Sequence, residues 1–272
     1  MNTFPPTDQR LYPFEFYSQM RRLNPVVYDD RNKVWSVFRY RDLQTILGDY
    51  ITFSSDPKRP NSSYSLFSKA NKSTNTTPTQ RASLLQSDPP YHRILRSVIA
   101  SAFTPIIVAR LEPHIENIAH GMIDNVVKNG RMDLIDDLGC PLPVTIIAEL
   151  LGVPIEDRNL FRGWTDRFVY LTEHNISDEQ VEGKNIIQII DEMDSYFSII
   201  VKERTQKPQE DLITNLIKAQ VDGRHLYEGE ITTFCRILLL VGHVTTVNLI
   251  GNTILSLIRY SLIIGLIYIQ EF

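Results

Sequence analysis

The sequence predicts a mainly α-helical fold with one small β element near the amino end. From Ser87 onward, apolar residues recur at helical spacing between proline and glycine breaks, whereas strand-forming residues cluster between positions 26 and 38. The third observation is the stretch Arg236–Ile258, RILLLVGHVTTVNLIGNTILSLI, which is apolar on nearly all sides. A helix of that kind must be buried, so the remaining elements are expected to be arranged around it.

The composition narrows the class of protein. The chain has 272 residues and a formal net charge of −4 with no basic stripe, so nucleic acid is not an expected partner. Its first residues, MNTFPPTDQRLYPFEFY, lack the cationic start and apolar run of a signal peptide, which predicts a cytoplasmic location. Cys140 and Cys235 form no C-x-x-C pair, so neither a disulfide framework nor a metal site is expected.

Before position 54 the sequence alternates between helix and strand signals. Two short amphipathic helices are predicted at Tyr12–Leu23 and Arg41–Leu47, with a β-hairpin between them formed by Val26–Tyr28 and Val34–Phe38. The following stretch, 54–80, is rich in Ser, Asn, Thr, Lys and Pro. Polar connections of that length are either functional lids or disordered segments, and the sequence favours neither.

Helix start signals recur after Ser87. Asp88-Pro89-Pro90 supplies an N-cap acceptor followed by proline in the first turn, and Thr104-Pro105 repeats the device. Pro113 is expected to kink or restart the helix in which it lies. Further helices are predicted at Pro143–Leu151, Ile155–Leu171, Val181–Arg204 and Asp211–Val221, with the central helix after them.

The central stretch is also long enough to cross a membrane. Its middle carries polar side chains, among them His243, Thr245 and Asn248. Unpaired amides and hydroxyls are costly in hydrocarbon, so a buried core helix is the expected structure and a membrane span is not.

His92 and Arg96 form the first candidate site. They are four residues apart in the helix opened by Asp88, so both side chains point the same way. An arginine beside a histidine donor can clamp one or two carboxylates. The alternative is a solvated basic face that also includes Arg93.

Gly242–Thr246, in the central helix, is the second candidate. A glycine in a helix interior can admit a close neighbour, and Thr245 and Thr246 can bond back to carbonyls one turn earlier and loosen the ladder. Together they predict either a polar groove or ordinary packing with satisfied hydroxyls. His243 alone is read as a core histidine, and no hydrolase, zinc-protease or P-loop motif is present in the sequence.

In this order, the segments resemble the cytochrome P450 superfamily of haem-thiolate monooxygenases, in particular its soluble bacterial members. DPPYHRILRSVIASAFTP (Asp88–Pro105) resembles the haem-facing C helix and PVTIIAELLGVP (Pro143–Pro154) the E helix. The segment from Asp211 through LLLVGHVTTVNLIGN resembles the H and I helices. The likeness runs from about Tyr12 to Leu257, so the expected fold is the amino-terminal two-thirds of the P450 fold, with a long buried I helix.

This resemblance implies a haem cofactor. His92 and Arg96 would hold its propionates, and Gly242 would let the I helix approach the porphyrin. Thr245, followed by Thr246, would help to deliver protons, and the polar loop after the second helix would cover the substrate. Such proteins take electrons from a ferredoxin- or flavodoxin-type redox partner and insert an oxygen atom into an apolar small molecule.

Two departures from the P450 pattern affect the expected activity. Val244 stands where the family's helix carries an acid, and an isopropyl group cannot relay a proton. The sequence also stops before the family's Glu–Arg helix and the cysteine loop that binds iron. Residues 1–257 are therefore expected to be a partial P450 domain. Residues 258–272, which do not resemble the family, are expected to be an apolar tail from a shifted reading frame or premature stop.

The expected protein is a truncated P450 without monooxygenase activity of its own. One alternative is half of a split monooxygenase, completed by a separately encoded chain. Another is a helical, non-enzymatic protein that keeps the pocket for an apolar ligand. The last is a membrane-attached form that uses residues 236–269.

Overall fold

The computed structural model describes residues 5–6, 9–10, 12–30, 33–56, 83–103, 105–173 and 179–259. The predicted loop at 54–80 lies outside these residues except for its first three, and the predicted tail at 258–272 except for its first two. The chain divides into two units, Met1–Asn61 and Ser62–Phe272. The tail boundary after Leu257 stays a prediction.

The first unit is built on a β-hairpin between two helices. Its elements are α1 (Phe14–Leu23), β1 (Val26–Asp29), β2 (Val34–Val37) and α2 (Tyr40–Gly48). The strands pair antiparallel, with Val26 opposite Val37 and Asp29 opposite Val34, so the predicted hairpin is confirmed.

The described part of the second unit is helical apart from a short hairpin. Its helices are α3 (Tyr91–Ser101), α4 (Pro105–Val127), α5 (Pro141–Leu150), α6 (Arg158–Glu173), α7 (Glu179–Gln206), α8 (Leu212–Lys218) and α9 (Glu228–Arg259). A π-helical turn (Leu134–Gly139) precedes α5, and a 3₁₀ turn (Ile155–Asp157) precedes α6. The hairpin consists of β3 (Gln220–Val221) and β4 (Arg224–His225), which pair antiparallel.

The first half of helix α9 lies at the centre of the second unit. It packs against α5, α6, α7 and the π-helical turn, and most of its residues from Glu230 to Leu240 are buried. Farther along, Leu249 and Ile258 are 66% and 67% exposed. The predicted central helix is therefore present, but it begins earlier than predicted and is buried along its first half instead of its whole length. Of the described helices, α9 is long and apolar enough to span a membrane, a test that a core helix also passes.

Two proline signals act differently from prediction. Helix α4 continues through Pro113, so the helix does not restart there, and the alternative of a kink stays a prediction. An interior proline removes one main-chain hydrogen bond, and the packing of α4 on α5 and on the π-helical turn offsets that loss. At α3 the N-cap residue is Pro90 and no side chain caps the helix; Asp88 accepts the His92 N–H at 3.0 Å through its main-chain oxygen.

A buried ion pair joins α7, α8 and the end of α5. Arg204 donates through Nε to Asp211 Oδ2 at 2.5 Å and through Nη2 to the Gly152 carbonyl at 2.9 Å. Asp211 also caps α8 by accepting the Thr214 N–H at 2.7 Å. Gly152 has a φ of +71°, and a Cβ at this position would lie 2.7 Å from Asp211 Cβ. Both the backbone conformation and the available space therefore require glycine here.

We expect Gly152→Ala to destabilise the protein more than Gly130→Ala. Both glycines have positive φ, but a Cβ at Gly130 would meet no atom within 4 Å. The Gly130→Ala substitution should cost about 1 kcal/mol through backbone strain alone. The Gly152→Ala substitution should cost about 3 kcal/mol because it also displaces the Asp211 carboxylate from Arg204. Urea unfolding of the three proteins measures the difference, and equal losses would contradict the packing role of Gly152.

Candidate functional site

Helix α3 presents His92 and Arg96 beside its buried face. Leu95, Val98 and Ile99 are buried and seat the helix in the core, while His92 is half-buried and Arg96 is exposed. The two polar side chains are one turn apart, as predicted. Within the part of the chain that the structure describes, neither has a hydrogen-bond or ion-pair partner, so both are available to a ligand.

The two threonines of α9 bond to their own helix. Thr245 Oγ1 donates to the Val241 carbonyl at 2.8 Å, and Thr246 Oγ1 donates to the Gly242 carbonyl at 2.7 Å. These bonds correspond to the alternative of internally satisfied hydroxyls. Each hydroxyl oxygen can still accept a hydrogen bond, but its proton is engaged until the side chain rotates. Val244, between them and His243, has no proton to donate.

Gly242 lies against α5. A Cβ at this position would fall 2.9 Å from Ile147 Cδ1, so the absence of a side chain is used here for close packing of two helices. The clash would involve the tip of a flexible side chain. The role predicted for Gly242, admitting a porphyrin, stays a prediction.

The structure places the two candidate sets on neighbouring helices without joining them. Helix α3 is connected to α9 near the start of the latter: Tyr91 bonds to Glu230, and the rings of Phe103 and Phe234 make a T-shaped pair at 6.0 Å. Gly242 lies about 12 Å farther along α9 than Phe234 at the rise of an α-helix. Among the described residues, no hydrogen bond connects His92 or Arg96 with the threonines.

His243 is a core histidine. It is 2% exposed, and its Nδ1 is buried without a partner among the described residues. Burial lowers the pKa of its imidazole, an effect that Asp166 opposes and Arg162 reinforces. Both of these residues belong to α6, so His243 faces the interior between α6 and α9.

The cysteines are poorly suited to bind iron as thiolates. Cys140 is half-buried and Cys235 is fully buried, and burial raises the pKa of both thiols. Asp166 and Asp211 add to this effect at Cys140 and Cys235 respectively. Among the described residues, no group of three or more His, Cys, Asp or Glu side chains could hold a metal ion.

One polar cluster near the site was not predicted. Glu230, in the first turn of α9, is buried and bonds to Tyr91 and Arg224. The partners are distant in sequence, and an acidic residue such as Glu230 is common in the first turn of a helix. The sequence therefore held no local signal for the cluster.

Comparison with known proteins identifies relatives along most of the chain. No family model matches it. A putative cytochrome P450 of Bacillus subtilis, YjiB, is 34% identical over 251 residues, which cover 91% of this chain and 59% of the relative. The erythromycin C-12 hydroxylase of Saccharopolyspora erythraea is 37% identical over 243 residues, 89% of this chain and 57% of that enzyme.

Solved structures give the same result for the fold. The open cytochrome P450 EryK from S. erythraea superposes with a TM-score of 0.76 and 35% identity, over 90% of this chain and 58% of EryK. The ligand-free cytochrome P450 TbtJ1 gives a TM-score of 0.79 at 34% identity, over 98% of this chain and 64% of TbtJ1. The chain thus spans somewhat less than two thirds of the length of the proteins that it matches.

We expect His243→Asn to flatten the acid side of the stability profile. The folded-state pKa of His243 is lowered, so its contribution to stability is present above pH 6.5, the pKa of an unburied histidine, and is lost as the pH falls through the lowered value. The free energy of unfolding should therefore fall more steeply below pH 6.5 in the unmodified protein, by up to about 1.4 kcal/mol for each unit of pKa shift.

Urea unfolding between pH 7.5 and pH 5 measures this slope. His120→Asn is the matched control, because His120 is exposed on α4. A slope unchanged in His243→Asn, or changed equally in His120→Asn, would contradict the assignment.

Proposed function

The chain belongs to the cytochrome P450 superfamily, and we propose that it binds haem, with His92 and Arg96 holding the propionates and α9 facing the porphyrin. The observation that carries this proposal is that the side chains of His92 and Arg96, one turn apart on a helix fixed in the core, have no partner among the described residues. A guanidinium and an imidazole N–H on one side of a helix match two carboxylates in charge and in hydrogen-bonding capacity. The superfamily supports the identity of the ligand.

In this proposal the chain's own residues bind and orient the cofactor. Arg96 would hold one carboxylate through its guanidinium group, and the half-buried His92 would hold the other through a ring N–H. Bound haem would supply the oxygen-activating chemistry, for which the protein provides orientation and electrostatics. Thr245 is proposed to hold a proton at Oγ1 near the cofactor, with Thr246 beside it. Gly242 is proposed to let the cofactor approach α9 closely, because it has no side chain.

Haem-dependent monooxygenation of an apolar small molecule is the activity proposed for the complete enzyme, with a ferredoxin- or flavodoxin-type protein as electron donor. The matched hydroxylase from S. erythraea acts on erythromycin by its name, which fits that class. For this chain alone we propose that the activity is lost. Val244 has no group that can transfer a proton to Thr245. Burial raises the pKa of the Cys140 and Cys235 thiols, so neither cysteine is suited to be the thiolate ligand.

A second candidate function is one half of a two-piece monooxygenase. The second half of α9 favours it: Leu249, Leu255 and Ile258 are exposed there, on a helix whose first half is mostly buried. Exposed apolar surface of this kind marks a site for another polypeptide. The part of the P450 relatives that this chain does not match is the proposed occupant.

We expect Arg96→Ala and His92→Ala each to weaken haem binding about tenfold, because each removes a charge-assisted hydrogen bond to a propionate. Arg93→Ala is the matched control: like Arg96→Ala it removes one exposed positive charge from α3, but from another direction around the helix axis. Titration with hemin, followed by absorbance, measures the affinity. An equal loss in Arg93→Ala would support the solvated basic face instead of the clamp.

For the two-piece enzyme, we expect the chain alone to give no thiolate-type absorbance when carbon monoxide is added to the reduced, haem-loaded protein. Co-expression with the part of B. subtilis YjiB that lies outside the matched region should produce this absorbance, because that part would cover α9 and supply the cysteine. A spectrum unchanged by the added part would exclude the two-piece enzyme, and a thiolate-type spectrum of the chain alone would overturn the loss of activity.

A further inference from the structure

A buried polar cluster joins the start of α3 to the start of α9. Glu230 is 1% exposed, and its Oε1 accepts hydrogen bonds from the Tyr91 hydroxyl and from Arg224 Nη2, the latter at 2.6 Å. Its Oε2 accepts the Tyr227 main-chain N–H at 2.8 Å. The Arg224 guanidinium also lies 5.5 Å from the centre of the Tyr91 ring and 5.3 Å from that of Tyr227. Tyr91 is thus held both by its hydroxyl and by its ring.

Tyr91 directly precedes His92 in the first turn of α3. Beyond the other end of α3, Phe103 contacts Phe234 of α9, so the helix is fixed to α9 at two points. A helix held in this way cannot roll about its own axis without breaking one of the contacts. A roll of about 15° would move a side-chain tip about 6 Å from the axis by roughly 1.5 Å, which exceeds the tolerance of a hydrogen bond.

The carboxyl group of Glu230 is costly to the fold. Burial raises its pKa to about 7, an effect that the hydrogen bond from the Tyr227 N–H opposes. An apolar side chain would pack the start of α9 without this desolvation cost. What the carboxylate adds is its set of polar contacts, and the contact with Tyr91 is the one that reaches α3.

We propose that Glu230 and Tyr91 are positioning residues for the carboxylate clamp: Glu230 fixes the roll of α3 through Tyr91, so that His92 and Arg96 meet two carboxylates of one ligand together. The inference rests on the proposed function, because it assigns the control of the same site. Neither residue touches the ligand in this scheme. Both act through the backbone of α3, and Arg224 Nη2 donates a hydrogen bond to the same carboxylate.

Two probe molecules separate positioning from general support of the fold. Hemin carries two propionates, whereas hemin dimethyl ester has the same macrocycle and no carboxylate. Tyr91→Phe keeps the ring that contacts Arg224 and removes the hydroxyl that bonds to Glu230. Tyr227→Phe is the matched control, because Tyr227 serves the cluster with its ring and its main-chain N–H, both of which phenylalanine retains.

We expect Tyr91→Phe and Glu230→Gln to weaken the binding of hemin five- to tenfold and the binding of the ester less than twofold, with Tyr227→Phe leaving both unchanged. In a protein that already carries Arg96→Ala, adding Tyr91→Phe should have little further effect, because the two changes act on the same contacts. Circular dichroism confirms that each variant is folded before titration.

An equal loss of affinity for hemin and for its ester would overturn the positioning role, since a merely structural residue affects both. Unchanged hemin affinity in Tyr91→Phe, with a loss in Arg96→Ala, would overturn this inference and leave the proposed function standing. Unchanged hemin affinity in both His92→Ala and Arg96→Ala would remove the clamp itself, and the positioning role with it.

Discussion

The structure depends on the burial of the first half of α9. The helix is apolar on nearly all sides, and among the described elements α5, α6, α7 and α8 pack against it. In its first half Cys235 and Leu239 are fully buried. Each Å² of apolar surface removed from water contributes roughly 25 cal/mol, so this packing is the main source of the unit's stability. Its interior charge, Arg236, is compensated, because Nε donates to Asp194 of α7 at 2.7 Å.

Buried charges in the second unit are paired, whereas the arginine of the candidate site is not paired among the described residues. Inside the second unit, Arg204 is paired with Asp211, Arg236 with Asp194 and Arg224 with Glu230. Such pairing is required because an unpaired charge in a medium of low polarity is strongly destabilising. Arg96 has no such partner among the described residues and remains at the surface. Its alignment with His92, on a helix tied to α9 at two points, distinguishes it from its neighbour Arg93.

The elements that were predicted correctly are those determined by residues close together in the sequence. The hairpin followed from two runs of β-branched and aromatic residues around a polar turn, and the position of His92 and Arg96 one turn apart followed from helical spacing. Spacing alone left the solvated basic face as an alternative to the clamp. Strands β3 and β4 were missed because two residues each are too short to show periodicity. The sequence marked the helix from the apolar stretch beginning at Arg236, whereas α9 begins at Glu228. Glu230, an acid in its first turn, is buried. Its contact with Tyr91 spans 139 residues of sequence, a separation that no local pattern encodes.

The first half of α9 anchors the second unit, whereas Leu249, Leu255 and Ile258 of its second half are exposed in the described part of the chain. Native-state hydrogen exchange, read residue by residue along α9, tests it most directly. The account predicts slow exchange, close to the rate of global unfolding, for the buried amides between Glu230 and His243. It predicts exchange faster by orders of magnitude between Thr245 and Ile258. Equal protection along the whole helix would contradict this expectation, because the described residues leave much of the second half exposed.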